Sequence, residues 1–218
     1  MPAKNRLAHY ARDILSALEV LGIESFSLVG HSLGGMIATQ LAEYAHERAV
    51  NLTLLAPAGF APVPIAEILE GSTFGRLARR SMPLALSNPL TAAGIYMAVV
   101  AHGHPPEMQL LGRVMRRAFT TAPGALAANE AIVAAASDSN GFAHRPVRYS
   151  GPVSVLWGAQ DILVPARHAD RVCEALPQAR LTVWEGMGHH PQRERPKQLS
   201  NYLAATTRAK VEEFPAAA

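Results

Sequence analysis

One cysteine, Cys173, stands in 218 residues. No intrachain disulfide can form, and no cysteine-based metal site can be built. Charge is sparse as well: 17% of residues are charged and the formal net charge is +3. So small an excess leaves no basic footprint for nucleic acid, and none is expected as a partner. No apolar run is both long and uncharged enough to span a bilayer. The opening MPAKNRLAHYARD holds no signal-peptide core. With so little cysteine, a reducing, cytoplasmic location is the expectation. Against these shortages stands a hydrophobic content of 49%, which is that of a globular chain able to bury a full core.

The apolar pattern divides the chain into three stretches. In residues 1–60, Leu7, Tyr10, Ile14, Leu18 and Leu21 recur at helical spacing and Gly22 supplies a stop. A β-prone run at 25–29 follows, then a second helix over 33–45 and a buried strand at 51–55. Strand, helix, strand with short connections is the pattern of a parallel sheet. Over 61–150 the strands give way to helix-like pieces broken by Pro and Gly, which predicts a helical cap inserted into the core. From 151 the sheet pattern resumes: VSVLW (153–157), an amphipathic helix over 166–175, LTVW (181–184), and a last helix from Pro196 to about Phe214.

The chemistry concentrates at three loops, each after a strand. Gly30, Ser32 and Gly34 fit Gly-x-Ser-x-Gly at a strand-to-helix junction. A serine on so sharp a turn has strained backbone angles, and Gly30 and Gly34 are expected to let helix and strand approach closely. The amide of Leu33, at the start of the following helix, points where an oxyanion would develop. A serine hydroxyl is a poor nucleophile without a base, and the base needs an orienting acid. Asp161 lies just past VSVLW. Asp138, within the cap, and Asp170, inside a helix, are less well placed. His189 follows LTVW after Gly186-Met187-Gly188, a flexible loop that can carry an imidazole over the sheet. Its neighbour His190 is expected to point elsewhere.

Gly30-His31-Ser32-Leu33-Gly34-Gly35, Trp157-Gly158 with Asp161 and Val164-Pro165, and Gly188-His189 with Glu194-Arg195-Pro196 together resemble the α/β-hydrolase superfamily. The resemblance implies a parallel-sheet α/β-hydrolase core with a helical cap, and the chain order Ser, Asp, His. It implies cleavage of an ester, thioester, amide or carbon–carbon bond without a cofactor. The expected substrate is an apolar small-molecule acyl compound, a medium-sized hydrophobic ester or similar carbonyl compound. An acyltransferase with the same triad, or a truncated non-catalytic protein of the same fold, are the alternatives. Members of the superfamily carry strands before the helix at 5–21, with a His-Gly loop that gives a second oxyanion donor. Their lack here predicts an N-terminally incomplete sheet, weakened turnover, and self-association through an exposed edge at residues 25–30. His102-Gly103 imitates that loop but reads as a helix end inside the cap.

Other features have plainer readings. Arg76, Arg79 and Arg80, and likewise Arg113, Arg116 and Arg117, share helix faces and are expected to be solvated. Met82, Met97, Met108 and Met115 suit an adaptable apolar pocket. The histidines lack the carboxylate spacing of a metal site, and no metal is expected. Cys173 is expected to be buried and inert.

Overall fold

In the computed structural model, residues 6–64, 141–142 and 145–208 are described. The predicted cap helices, their Arg and Met residues, Asp138 and His102-Gly103 lie outside the described residues.

A four-stranded parallel sheet runs in chain order β1-β2-β3-β4. Its strands are β1 (Phe26–His31), β2 (Ala49–Leu55), β3 (Val153–Gly158) and β4 (Arg180–Trp184). Helices cover both faces, as parallel sheets require. On one face lie α1 (Arg6–Val20), α2 (Leu33–Tyr44) and α3 (Ala169–Ala175), the last entered through a 3₁₀ turn at Ala166–His168. Their core joins Ala11, Met36 and Leu41 to Leu28, Leu52, Leu54, Val155 and Trp157 of the strands. On the other face, Leu55 and Leu156 meet Leu199 of α5 (Pro196–Arg208). Alternate residues of β2 and β3 therefore serve opposite cores, the period-two geometry of a strand.

Three local expectations need correction. The stripe chosen for α1 is largely its outer face: Tyr10 and Ile14 are each 40% exposed and Leu21 70%. The core side is carried by the fully buried Ala11 with Leu15 packed beside it. A small residue at the contact lets two helix axes approach, and it carries little signal in a pattern of large apolar residues. Second, a short helix, α4 (Pro191–Glu194), occupies part of the predicted loop, with proline in its first turn. Third, Cys173 is only partly buried. Its thiol pKa is raised by burial and by Asp170, so the expected inertness rests on an elevated pKa. Gly22 ends α1 at φ 66° as its position suggested.

β1 has a neighbour on one side only among the described residues. Leu28 and Gly30 turn into the core, while Ser27 and Val29 are exposed on the opposite face.

Candidate active site

The elbow between β1 and α2 is held in a conformation that L residues rarely adopt. Ser32 has φ 53° and ψ −120°, a strained geometry of order 1–3 kcal/mol in cost that persists only under strong local constraint. The constraints are visible. Ser32 donates its N–H to the Leu55 carbonyl at 3.0 Å, and its own carbonyl accepts from Gly35 (2.8 Å) and Ala58 (3.1 Å). Its side chain makes no capping bond to α2. Leu33, the first residue of α2, has no carbonyl one turn back in the helix to receive its N–H.

The glycines of this turn divide their work differently from the expected pattern. A Cβ on Gly30 would lie 2.7 Å from the Ala38 Cβ and 2.7 Å from the Gly35 Cα, so no side chain fits there. A Cβ on Gly34 would meet nothing within 4 Å among the described residues. The close approach expected of Gly34 belongs instead to Gly35, where a Cβ would come within 2.7 Å of the Pro57 ring. Gly35 faces the segment after β2, and only the three-dimensional course of Ala56-Pro57-Ala58 reveals that. Ala56, at φ 42°, is itself left-handed there.

Asp161 and His189, more than two dozen residues apart, meet behind this elbow. Asp161 Oδ1 accepts the N–H groups of Leu163 (3.0 Å) and Val164 (2.9 Å). Its Oδ2 lies 2.7 Å from His189 Nδ1. Both side chains are essentially buried, at 0% and 2% exposure. A carboxylate only accepts, so His189 donates from Nδ1, which leaves Nε2 as the nitrogen that can take a proton. The acid loop is closed by Trp157, whose indole N–H donates to the Val164 carbonyl at 2.8 Å.

The acid and base loops are stitched together by groups that motif reading did not single out. The Gln160 N–H donates to the Met187 carbonyl, and the Met187 N–H to Gln160 Oε1, each at 3.0 Å. Gly158 ends β3 against the Met187–Gly188 backbone, and a Cβ there would come within 2.7 Å of the Met187 carbonyl carbon. Glu194 of α4 takes the Gly188 N–H at 2.7 Å and the His190 N–H at 2.9 Å, gripping the backbone on both sides of His189. These are bonds to backbone from ordinary polar residues, and only the Glu194-Arg195-Pro196 run gave them any sequence signal.

His31, next to Ser32, donates from Nε2 to the His189 carbonyl at 2.7 Å. Its ring centroid stands 4.7 Å from that of His189 and 5.0 Å from that of His190. His190 therefore does not turn away from the site as expected. Desolvation by burial, with the neighbouring His189, lowers the His31 pKa to about 4. The same causes, joined by His31 and Arg193, lower that of His190 to about 3. Thus Asp161 and His189 are in direct contact, and Ser32 is joined to them through His31 and the elbow. Among the described hydrogen bonds, none links Ser32 Oγ to His189 Nε2.

Comparison with known proteins follows the same lines. The chain is 27% identical over 203 residues to the dihydrolipoyllysine-residue acetyltransferase component of the acetoin cleaving system of Cupriavidus necator, covering 92% of this chain and 50% of that protein. It is 27% identical over 199 residues to a 2-hydroxy-6-oxononadienedioate/2-hydroxy-6-oxononatrienedioate hydrolase of Paraburkholderia phymatum, covering 88% of this chain and 66% of that one. It spans about half the length, 50–56%, of several curated relatives. Among solved structures, the 2-hydroxy-6-oxo-6-phenylhexa-2,4-dienoate hydrolase of Rhodococcus sp. strain RHA1 superposes with a TM-score of 0.74 at 23% identity, over 94% of this chain and 72% of that one. The sequence profile of the α/β-hydrolase fold matches residues 2–196. Sheet order, strained elbow and profile agree, and the chain belongs to the α/β-hydrolase fold family.

Proposed function

We propose that the chain is a serine hydrolase that cleaves an ester or similar carbonyl compound through an acyl-enzyme on Ser32. The observation that carries this reading is the buried contact of 2.7 Å between Asp161 and His189, set behind a strained serine. Ser32 attacks the carbonyl as His189 Nε2 takes the hydroxyl proton. Asp161 holds the ring in the Nδ1–H tautomer and stabilises the imidazolium that forms. The Leu33 N–H stabilises the tetrahedral oxyanion. His189 then protonates the leaving group, and water attacks the acyl-enzyme with His189 as base. In this reading a Ser32–His189 hydrogen bond forms when substrate is bound, since catalytic bonds are often long or unmade in the free protein.

The relatives keep two other carbonyl reactions in view. One relative is named as an acetyltransferase component and another as a hydrolase of an oxo-dienedioate. An alcohol or thiol in place of water would make the same acyl-enzyme a transferase intermediate.

A fluorophosphonate probe tests the core of the reading. Labelling is expected on the wild-type chain, absent in Ser32→Ala, and lowered at least ~10²-fold in rate in His189→Ala. Labelling that survives in Ser32→Ala removes the assignment. Product analysis of a short-chain ester with and without added alcohol separates hydrolysis from transfer.

A further inference from the structure

Three imidazoles and one amide crowd the back of the site, and the reaction above uses only one of them. His31 Nε2 lies 2.7 Å from the His189 carbonyl oxygen. A carbonyl cannot donate, so the proton is on Nε2. The other nitrogen of His31, Nδ1, lies 3.3 Å from Gln192 Nε2, and Nδ1 of His190 lies 3.2 Å from the same amide nitrogen. An amide NH₂ has two hydrogens to give, one to each ring. Both Nδ1 atoms then accept, and both rings take the same Nε2–H tautomer. Both amide hydrogens and the His31 Nε2–H thus meet acceptors, so one arrangement of His31 is selected.

We infer that His31, held in its Nε2–H tautomer by Gln192, is a positioning residue that ties the loop of His189 to the nucleophile elbow. The inference rests on the triad reading for its catalytic meaning. The argument is geometric. Ser32 and His189 come from β1 and from the loop after β4, opposite ends of the strand order among the described residues. Nothing in the sheet ladder sets the distance between them. His31 adjoins Ser32 in the chain and bonds the backbone of His189 itself, so it spans that gap with one side chain. Glu194 grips the amides on either side of His189 from α4. The base loop is therefore held from the elbow and from the following helix at once. A base displaced by even ~1 Å loses much of its rate, on the order of 10²-fold.

The donor, rather than the ring, is the tested element. A glutamine at 31 can place its amide nitrogen where Nε2 stands, and a phenylalanine keeps the ring bulk without a donor. His31→Phe is expected to label with the fluorophosphonate about tenfold more slowly than wild type, as for one lost oriented hydrogen bond. His31→Gln is expected to stay within about threefold. The low-field proton resonance of His189 Nδ1–H, bonded to Asp161, should persist in wild type and His31→Gln and broaden in His31→Phe. Gln192→Leu removes an exposed side chain and does not challenge folding. It is expected to convert the ¹⁵N shifts of His31 from one tautomer to a mixture, with a smaller slowing of labelling. Equal behaviour of the Phe and Gln variants, or a sharp unchanged His189 resonance in His31→Phe, overturns the inference. So does a mixed tautomer for His31 in the wild type. If the wild-type chain takes no probe at all, the hydrolase reading falls, while the resonance and tautomer measurements still decide the clamp.

Discussion

At the scale of single residues, the buried imidazoles set a cost that depends on pH. In the folded chain His31 accepts a proton only near pH 4 and His190 only near 3, chiefly because burial disfavours their charged forms. Unfolded, each titrates near its ordinary 6.5. Between those values the unfolded chain binds more protons, so folding stability falls as pH is lowered from 6.5, through 4 for His31 and on to 3 for His190, and then levels. The loss from His31 is about 2 kcal/mol once its partial exposure is allowed for. The two rings touch, so their effects do not add. Urea unfolding at neutral pH and near pH 5 is expected to show a lower midpoint at the acid end, and His31→Gln to shrink the difference. A midpoint that does not move in the wild type contradicts the depressed pKa values. Ser32, Asp161 and His189 were each legible in sequence because each lies in a short loop directly after a strand. Gln160, Gln192 and Glu194 were not read as partners of those loops, because Gln160 and Glu194 bond backbone atoms, and Gln192 two imidazoles, whose positions depend on how the loops meet.

Among elements, the contact of α2 with β1 and the segment after β2 places the elbow. Gly30 and Gly35 sit where backbones and ring nearly touch, and Gly34 faces open space among the described residues. Gly35→Ala is therefore expected to destabilise the fold by roughly 1–3 kcal/mol, the range for overpacking a tight site. Gly34→Ala is expected to leave stability within ~1 kcal/mol, with a gain in helix propensity. Thermal unfolding of the two variants checks this, and equal destabilisation would contradict the assigned division. The spacing of the motif did not distinguish them, since the helix face that meets Pro57 is a matter of packing. Helix α1 teaches the same lesson. Its large apolar residues suggested the core side, while the actual contact runs through Ala11. The strands were the most legible elements, since a buried parallel strand is a short run of β-branched and aliphatic residues between turn signals.

In the whole molecule, the side of β1 that has no neighbour among the described residues is the feature with the largest consequence for solution behaviour. Val29 is 47% exposed, and Tyr10, Ile14, Leu21 and Ile23 add apolar surface on and after α1. The strand carries no charged or proline residue to deter pairing. Self-association through this edge is expected, and Val29→Lys is expected to shift the chain towards monomer. Size-exclusion chromatography with light scattering reads both, and a wild-type chain that stays monomeric at high concentration contradicts it. The order of the sheet has another outcome. Leu55 of β2 and Val153 of β3 lie nearly a hundred residues apart, and the β2–β3 ladder is where the two halves of the sheet join. Ser32 belongs to the first half, and Asp161 and His189 to the second. Along the same seam, the Tyr149 hydroxyl donates to the Ala49 carbonyl at 2.9 Å, Phe60 stacks on Phe142, and Arg145 meets Glu43. On the proposed mechanism, a nucleophile without its base in one half, and a base without its nucleophile in the other, leave neither half reactive by itself. The proposed chemistry is thereby conditional on assembly: Ser32 in a half-formed molecule is expected to stay inert until the second half has closed on it.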